Sequence, residues 1–259
     1  MSQPAENILQ VRGISLAFKG VKAINDFSFE VRRGEICALI GPNGAGKSSL
    51  LNILNGVYSF DAGEIIFEGR GFRQIDPLSA ARQGIGRTFQ NNALFKKMSV
   101  IDNILTGLSR HTRSHFLAQA LQWPSARREA EQSRAKAEGI LGFLDLQAQR
   151  DVLVGNLSYG LQKRVELGRA LIAAPALLLL DEPMAGMNAE EKQEMAVYIA
   201  DINRSLGTTV VLIEHDMAVV MDLSDHVVVL DYGRKVGDGT PAEVQANPQV
   251  ISAYLGVGH

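Results

Sequence analysis

One cysteine in 259 residues leaves no partner for a disulfide within the chain, so the fold must stand on its apolar core. That cysteine, Cys37, lies inside the apolar run Ile36 to Ile40 and reads as a small buried hydrophobe rather than a reactive thiol. An excess of charge is missing too. The 26 basic and 28 acidic residues are mixed along the chain and give a net charge of -2, so no basic field steers nucleic acid. Long apolar runs are also lacking. The longest, Ala170 to Leu180, is interrupted by Pro175 and falls far short of the ~20 residues that span a bilayer, so any membrane association is expected to be peripheral. The opening residues MSQPAEN lack a charged flank followed by an apolar stretch, which predicts no secretory signal and a cytoplasmic protein. Internal repeats and low-complexity segments are absent.

A hydrophobic content of 46% is enough for one large α/β domain. Short apolar runs rich in β-branched residues recur at Phe27 to Val31, Ile36 to Ile40, Glu64 to Phe67, Leu177 to Leu180, Val210 to Ile213 and Val227 to Leu230, and these predict strands. Helical spacing intervenes, with Met195, Tyr198, Ile199, Ile202 and Leu206 on one face. The alternation predicts a mainly parallel sheet covered on both faces. Strand-like segments follow one another through Glu35, which adds a small N-terminal antiparallel sheet. From Asn91 to Gly155 no strand is evident, and Ala130, Ala137, Leu141 and Leu144 mark a helix after a polar turn at Pro124 to Arg128. The expected organisation is one domain: residues 1–90 and 166–259 as the α/β core with its antiparallel subdomain, and residues 91–165 as an inserted helical subdomain.

Gly41, Pro42, Asn43, Gly44, Ala45, Gly46, Lys47 and Ser48 follow a buried strand and lead into the helical run from Ser49 to Leu54. That is the P-loop pattern in its strand, loop, helix setting. Glycines let backbone N–H groups turn inward around phosphates, and the helix start adds its positive end. Lys47 is placed to neutralise the β and γ phosphates and the Ser48 hydroxyl to bind Mg²⁺, so ATP and Mg²⁺ are the expected ligands.

Leu177 to Leu180 deliver Asp181 and Glu182 at the carboxyl end of a buried strand. Asp181 suits the Mg²⁺ shell, while Glu182 can orient the attacking water and accept its proton. Two acids after a strand are otherwise only the polar start of a loop; the P-loop upstream decides for catalysis. His215 also stands past the end of a strand, where ligands bind in such folds, and is assigned as a γ-phosphate sensor. His111, His115, His226 and His259 lack that setting and read as surface or packing residues.

Leu157, Ser158, Tyr159, Gly160, Leu161, Gln162, Lys163 and Arg164 open a further helix, where Ser158 could simply be an N-cap. This stretch, just upstream of the Asp181-Glu182 strand, resembles the signature motif of the ABC ATPases. The resemblance covers almost the whole chain. It implies a P-loop NTPase (RecA-like) core and nucleotide contacts from Ser158 and Gly160 across a subunit interface. It further implies that Gln90 is the glutamine that senses Mg²⁺ and water and contacts the membrane subunits, and that Phe18 is the aromatic stacked on adenine. Leu161 stands where the signature usually has glutamine, and Asn188 where the loop after the catalytic glutamate usually has aspartate.

Leu157 to Gly160, Asp181 to Asn188 and the ending Tyr254-Leu255-Gly256 are similar to the ATPases of branched-chain amino-acid importers, and the long helical insert to the larger of the two that such importers pair. The resemblance implies an ATP-hydrolysing subunit at the cytoplasmic face of a bacterial inner membrane. Its implied partners are two membrane-spanning permease subunits, a second ATPase chain and an external solute-binding protein. Importers of urea or small amides share much of this pattern. The alternative is a soluble ABC ATPase acting on nucleic acid or in translation, but such proteins usually add long coiled coils, zinc cysteines or a second cassette, none of which the sequence shows, and a P-loop kinase would leave Leu157 to Arg164 and His215 without roles.

Overall fold

A computed structural model gives the architecture; it describes residues 6–88, 94–108 and 124–255. A six-stranded sheet forms the centre, in the order β10 (Arg234–Gly239), β9 (His226–Asp231), β3 (Ile36–Ile40), β8 (Thr209–Ile213), β7 (Leu177–Asp181), β6 (Ile85–Arg87). All neighbours are parallel except β10, which returns antiparallel along β9. Beside it β2 (Val21–Arg32), β1 (Asn7–Phe18), β4 (Ala62–Phe67) and β5 (Arg70–Phe72) make a four-stranded antiparallel sheet in that order.

Strands β3, β7 and β8 are buried at every position because both faces are covered. In β3, Ile36, Ala38 and Ile40 join one core and Cys37 and Leu39 the other. The same alternation sends Leu178 and Leu180 one way and Leu177 and Leu179 the other. The first core is filled by α3 (Val100–Leu105), α4 (Pro124–Phe143), α5 (Tyr159–Leu171) and α6 (Ala189–Leu206); the second by the antiparallel sheet and α1 (Lys47–Leu54). Among the described residues no helix is long and apolar enough to cross a membrane.

Several local expectations need correction. Pro124 to Arg128 is the opening of α4, not a turn before it, in keeping with the tolerance of proline in a first helical turn. Ala137, Leu141 and Leu144 are buried as expected, but Ala130 is exposed, because only the C-terminal half of α4 packs on the core. Leu206, at the end of α6, is 51% exposed. The antiparallel sheet runs past Glu35 to Phe72, taking in the strand expected at Glu64 to Phe67, and the short β6 and the Gly-rich β10 carry too little apolar pattern to be seen in sequence.

The remaining helices are α2 (Pro77–Arg82), α7 (Met217–Leu223), α8 (Pro241–Ala246) and α9 (Pro248–Leu255). Cys37 is buried, as expected. It lies beside His226, whose Nδ1 is 3.2 Å from Glu35 Oε1 and whose Nε2 is 2.6 Å from Asp238 Oδ1. The bond to Asp238, then those to Cys37 and Glu35, push the imidazole pKa up to about 12. Because the folded value lies above the unfolded one of ~6.5, the stabilisation is complete below pH ~6.5 and declines as pH rises toward 12. The stability gap between the wild-type chain and His226→Gln, measured by urea unfolding, should therefore shrink steadily between pH 6.5 and 9. A constant gap would mean that His226 does not fold as the cation.

Candidate active site

The P-loop joins the carboxyl end of β3 to the start of α1 at the middle of the sheet. Gly46, with φ 108°, is the N-cap of α1. Gly41 is required by crowding: a Cβ there would lie 2.1 Å from the Leu230 carbonyl oxygen on β9. Asn43 and Gly44 are exposed at the loop's crest, and Ser48 and Ser49 are half-buried in the first turn of the helix. Lys47 is only 6% exposed and donates from Nζ to the carbonyls of Gly41 (2.7 Å) and Pro42 (3.0 Å). The lysine thus braces the loop it serves. Burial lowers its pKa, while the nearby charges of Glu182 and Asp181 act to raise it.

Asp181 closes β7 and is 2% exposed. Arg87, at the end of β6, donates from Nη2 to Asp181 Oδ2 at 3.0 Å and from Nη1 to Asn52 Oδ1 of α1 at 2.7 Å. Burial pushes the Asp181 carboxyl up in spite of Arg87. Its other oxygen, Oδ1, is buried without a hydrogen-bond partner. An oxygen ligand held dry beside the P-loop helix suits a divalent cation. Among the described residues no group of three or more His, Cys, Asp and Glu could hold a metal unaided. That donor set fits Mg²⁺, which is usually bound by one or two carboxylates together with substrate phosphates.

Glu182 follows in the left-handed region, φ 50°, with its N–H donating to the Ile213 carbonyl at 3.0 Å. Its Oε1 lies 2.8 Å from His215 Nε2. The strand ends of β7 and β8 therefore bring together the acid and the histidine that the sequence places 33 residues apart.

Phe18 ends β1, 44% exposed, with its ring edge-on to Tyr58 at 5.2 Å. Ser158 is the N-cap of α5, accepting from Leu161 N at 3.4 Å. At Gly160 a Cβ would come within 2.6 Å of Glu191 Oε1, so a larger residue here would have to displace the carboxylate of Glu191. Glu191 in turn completes a capping box with Asn188, a role asparagine fills as well as aspartate, and Leu161 packs on the first core. Ser158 and Gly160 thus belong to the start of α5, and Lys47 to the start of α1. Gln90, His111, His115, His259 and Gly256 lie outside the described residues.

Sequence reasoning gave no role to Arg87, Asn52 or Glu214. The available signal was charge where burial is expected: Arg87 in a strand next to the core and Glu214 directly after the apolar β8.

A phosphate cradle with a buried lysine, and two acids and a histidine at adjoining strand ends, define a P-loop nucleotide hydrolase. Residues 24–185 match the family described as ABC transporter, and residues 234–259 match one described as branched-chain amino acid ATP-binding cassette transporter. The chain is 39% identical over 256 residues to the high-affinity branched-chain amino acid transport ATP-binding protein BraF of Pseudomonas aeruginosa, covering 99% of each. It is 38% identical to LivG, of the same description, from Escherichia coli, again over 99% of each. Among solved structures, a nucleotide-free ATP-binding cassette from an ABC transporter superposes with TM-score 0.84 at 31% identity, covering 97% of this chain and 100% of that one. The ADP conformation of MJ1267, an ATP-binding cassette of an ABC transporter, gives TM-score 0.84 at 32% identity over 97% and 99%. The chain belongs to the ABC transporter family as an ATP-binding subunit, and it hydrolyses ATP.

Proposed function

We propose that this subunit powers the import of branched-chain amino acids through separate membrane-spanning subunits. The observation that carries the reading is the full-length likeness to transport ATPases of that description, extending through residues 234–259.

In this reading the backbone from Gly41 to Ser49 holds the triphosphate and Lys47 offsets its charge. Ser48 and Asp181 hold Mg²⁺, which when bound neutralises charge on the β and γ phosphates. Glu182 orients a water and takes its proton. His215 holds Glu182 in place and senses the γ phosphate. Phe18 stacks on adenine, Gln90 reports the state of the metal and water, and Ser158 and Gly160 complete the site of a second ATPase chain.

The helical part, proposed as residues 91–165, supplies a docking face. The segment 95–100 runs against 150–155, joined by Val100 N to Val152 O (3.1 Å), Val154 N to Met98 O (3.0 Å) and Gly155 N to Lys96 O (3.0 Å). This ribbon leaves Phe95 54% and Leu153 46% exposed, with Lys96 and Lys97 beside them. Exposed apolar side chains clustered in this way suit contact with another subunit. Two permease subunits, an external solute-binding protein and a peripheral place on a bacterial inner membrane complete the assignment.

The test is uptake of labelled leucine by cells lacking this chain. Wild-type protein should restore uptake and Glu182→Gln should not. Restored uptake of urea or an amide, but not of leucine, would reassign the solute while leaving the ATPase intact.

A further inference from the structure

Strands β7 and β8 are parallel neighbours whose pairing ends at Asp181 opposite Ile213. Past that point the sheet no longer holds the chain, yet the reacting groups follow directly. Glu182 sits at φ 50°, a conformation that costs a non-glycine residue energy unless its surroundings impose it. One imposing contact is the bond from Glu182 N to Ile213 O. The second comes from Glu214. Its Oε1 accepts from Met184 N at 2.8 Å and its Oε2 from His215 N at 3.1 Å.

Glu214 is 4% exposed, and among the described residues it has no ion pair with a lysine or arginine. Burial raises its pKa, while the two backbone N–H donors act in the opposite sense. A buried carboxylate compensated chiefly by two backbone donors is a poor source of stability compared with an apolar side chain of similar size. What it supplies instead is two acceptors on one rigid plane, which add a side-chain tie beyond the Glu182 N to Ile213 O bond between the segments that follow β7 and β8. The far side of the same ring is the 2.8 Å contact between Glu182 Oε1 and His215 Nε2.

We propose that Glu214 is a positioning residue for hydrolysis, clamping the turn after Glu182 to the backbone of His215 so that the two side chains stay in register. The proposal rests on the roles given above to Glu182 and His215. Glu214 acts through the backbone N–H groups of Met184 and His215. Loss of the clamp lets the Glu182 turn move independently of His215, which slows the chemical step and leaves the P-loop, and so ATP binding, unchanged.

The experiment measures kcat, KM and the equilibrium affinity for ATP of the full-length chain carrying Glu214→Gln or Glu214→Ala, beside Glu182→Gln and His215→Ala. Gln keeps one acceptor and turns a donor toward the other N–H; Ala keeps none. The expected order of kcat is wild type, then Gln at about tenfold lower, then Ala lower still, with KM and affinity within about twofold. Wild-type kcat in Glu214→Gln, beside slow Glu182→Gln and His215→Ala, would overturn the clamp alone. ATP affinity falling in parallel with kcat would reduce Glu214 to a structural residue and overturn it too. Wild-type rates in Glu182→Gln and His215→Ala would instead overturn the assignment of the site. Hydrogen exchange on the wild-type chain gives an arm that survives misfolded variants: the amides of Met184 and His215 should exchange as slowly as those of Leu180 and Leu212. Exchange at the rate of an exposed loop would overturn the proposal.

Discussion

Lys47→Ala should weaken ATP binding by about 100-fold or more while the chain still folds, the loss following from charge-assisted hydrogen bonds worth ~1.5–3 kcal/mol each. Lys47 is buried at the first turn of α1, and two of its donors already hold the carbonyls of Gly41 and Pro42. Alanine therefore removes both the cation facing the phosphates and the brace that shapes their cradle. The charges acting on it are those of Glu182 and Asp181, so loss of Lys47 removes a cation that offsets these carboxylates as well as the triphosphate. Titration with a fluorescent ATP analogue reads the affinity, and circular dichroism the fold. An affinity within about threefold of wild type would remove Lys47 from the site, since a buried salt contact to phosphate cannot be that weak.

The parts of this site that could be seen in sequence are those where one short segment carries the chemistry. Gly41 to Ser48 announce a P-loop because strand, glycines and lysine are contiguous. Asp181 and Glu182 follow four leucines, and the apolar strand itself tells which end is exposed to ligand. His215 could be found the same way. Strand order is different in kind, since nothing local in Leu177 to Leu180 says that β8 rather than β3 lies beside it. Arg87 and Asn52 meet Asp181 from β6 and α1, through a fold that had to be seen first. Gly160 shows a further limit. Its place in the signature suggests a ligand contact, yet within the chain its neighbour is the Glu191 carboxylate, a contact that the sequence did not reveal. Weakly patterned elements also escaped: β10 reads Arg-Lys-Val-Gly-Asp-Gly, and it is a strand because β9, apolar and buried from Val227 to Leu230, offers it an edge.

The second large effect separates binding from chemistry. Glu182→Gln should hold ATP within a few fold of wild type and slow hydrolysis by ~10²–10⁴, the span that general-base catalysis usually supplies. Its backbone is fixed by the bond to Ile213 and the turn at φ 50°, neither of which depends on the side chain's charge. The amide oxygen can still accept from His215 Nε2, so the 2.8 Å contact survives in the tautomer that carries its proton there. A water can still be oriented, but an amide cannot take its proton. Lys47, meanwhile, loses one nearby negative charge, which favours the bound triphosphate. Single-turnover hydrolysis beside equilibrium binding reads the two quantities independently. Loss of binding with no separate loss of rate would move Glu182 from the chemical step to the metal or the frame. A rate within about threefold of wild type would mean that the proton goes elsewhere. His215 could not then be rescued as the base through Nε2 by this geometry, because that nitrogen is already directed at residue 182.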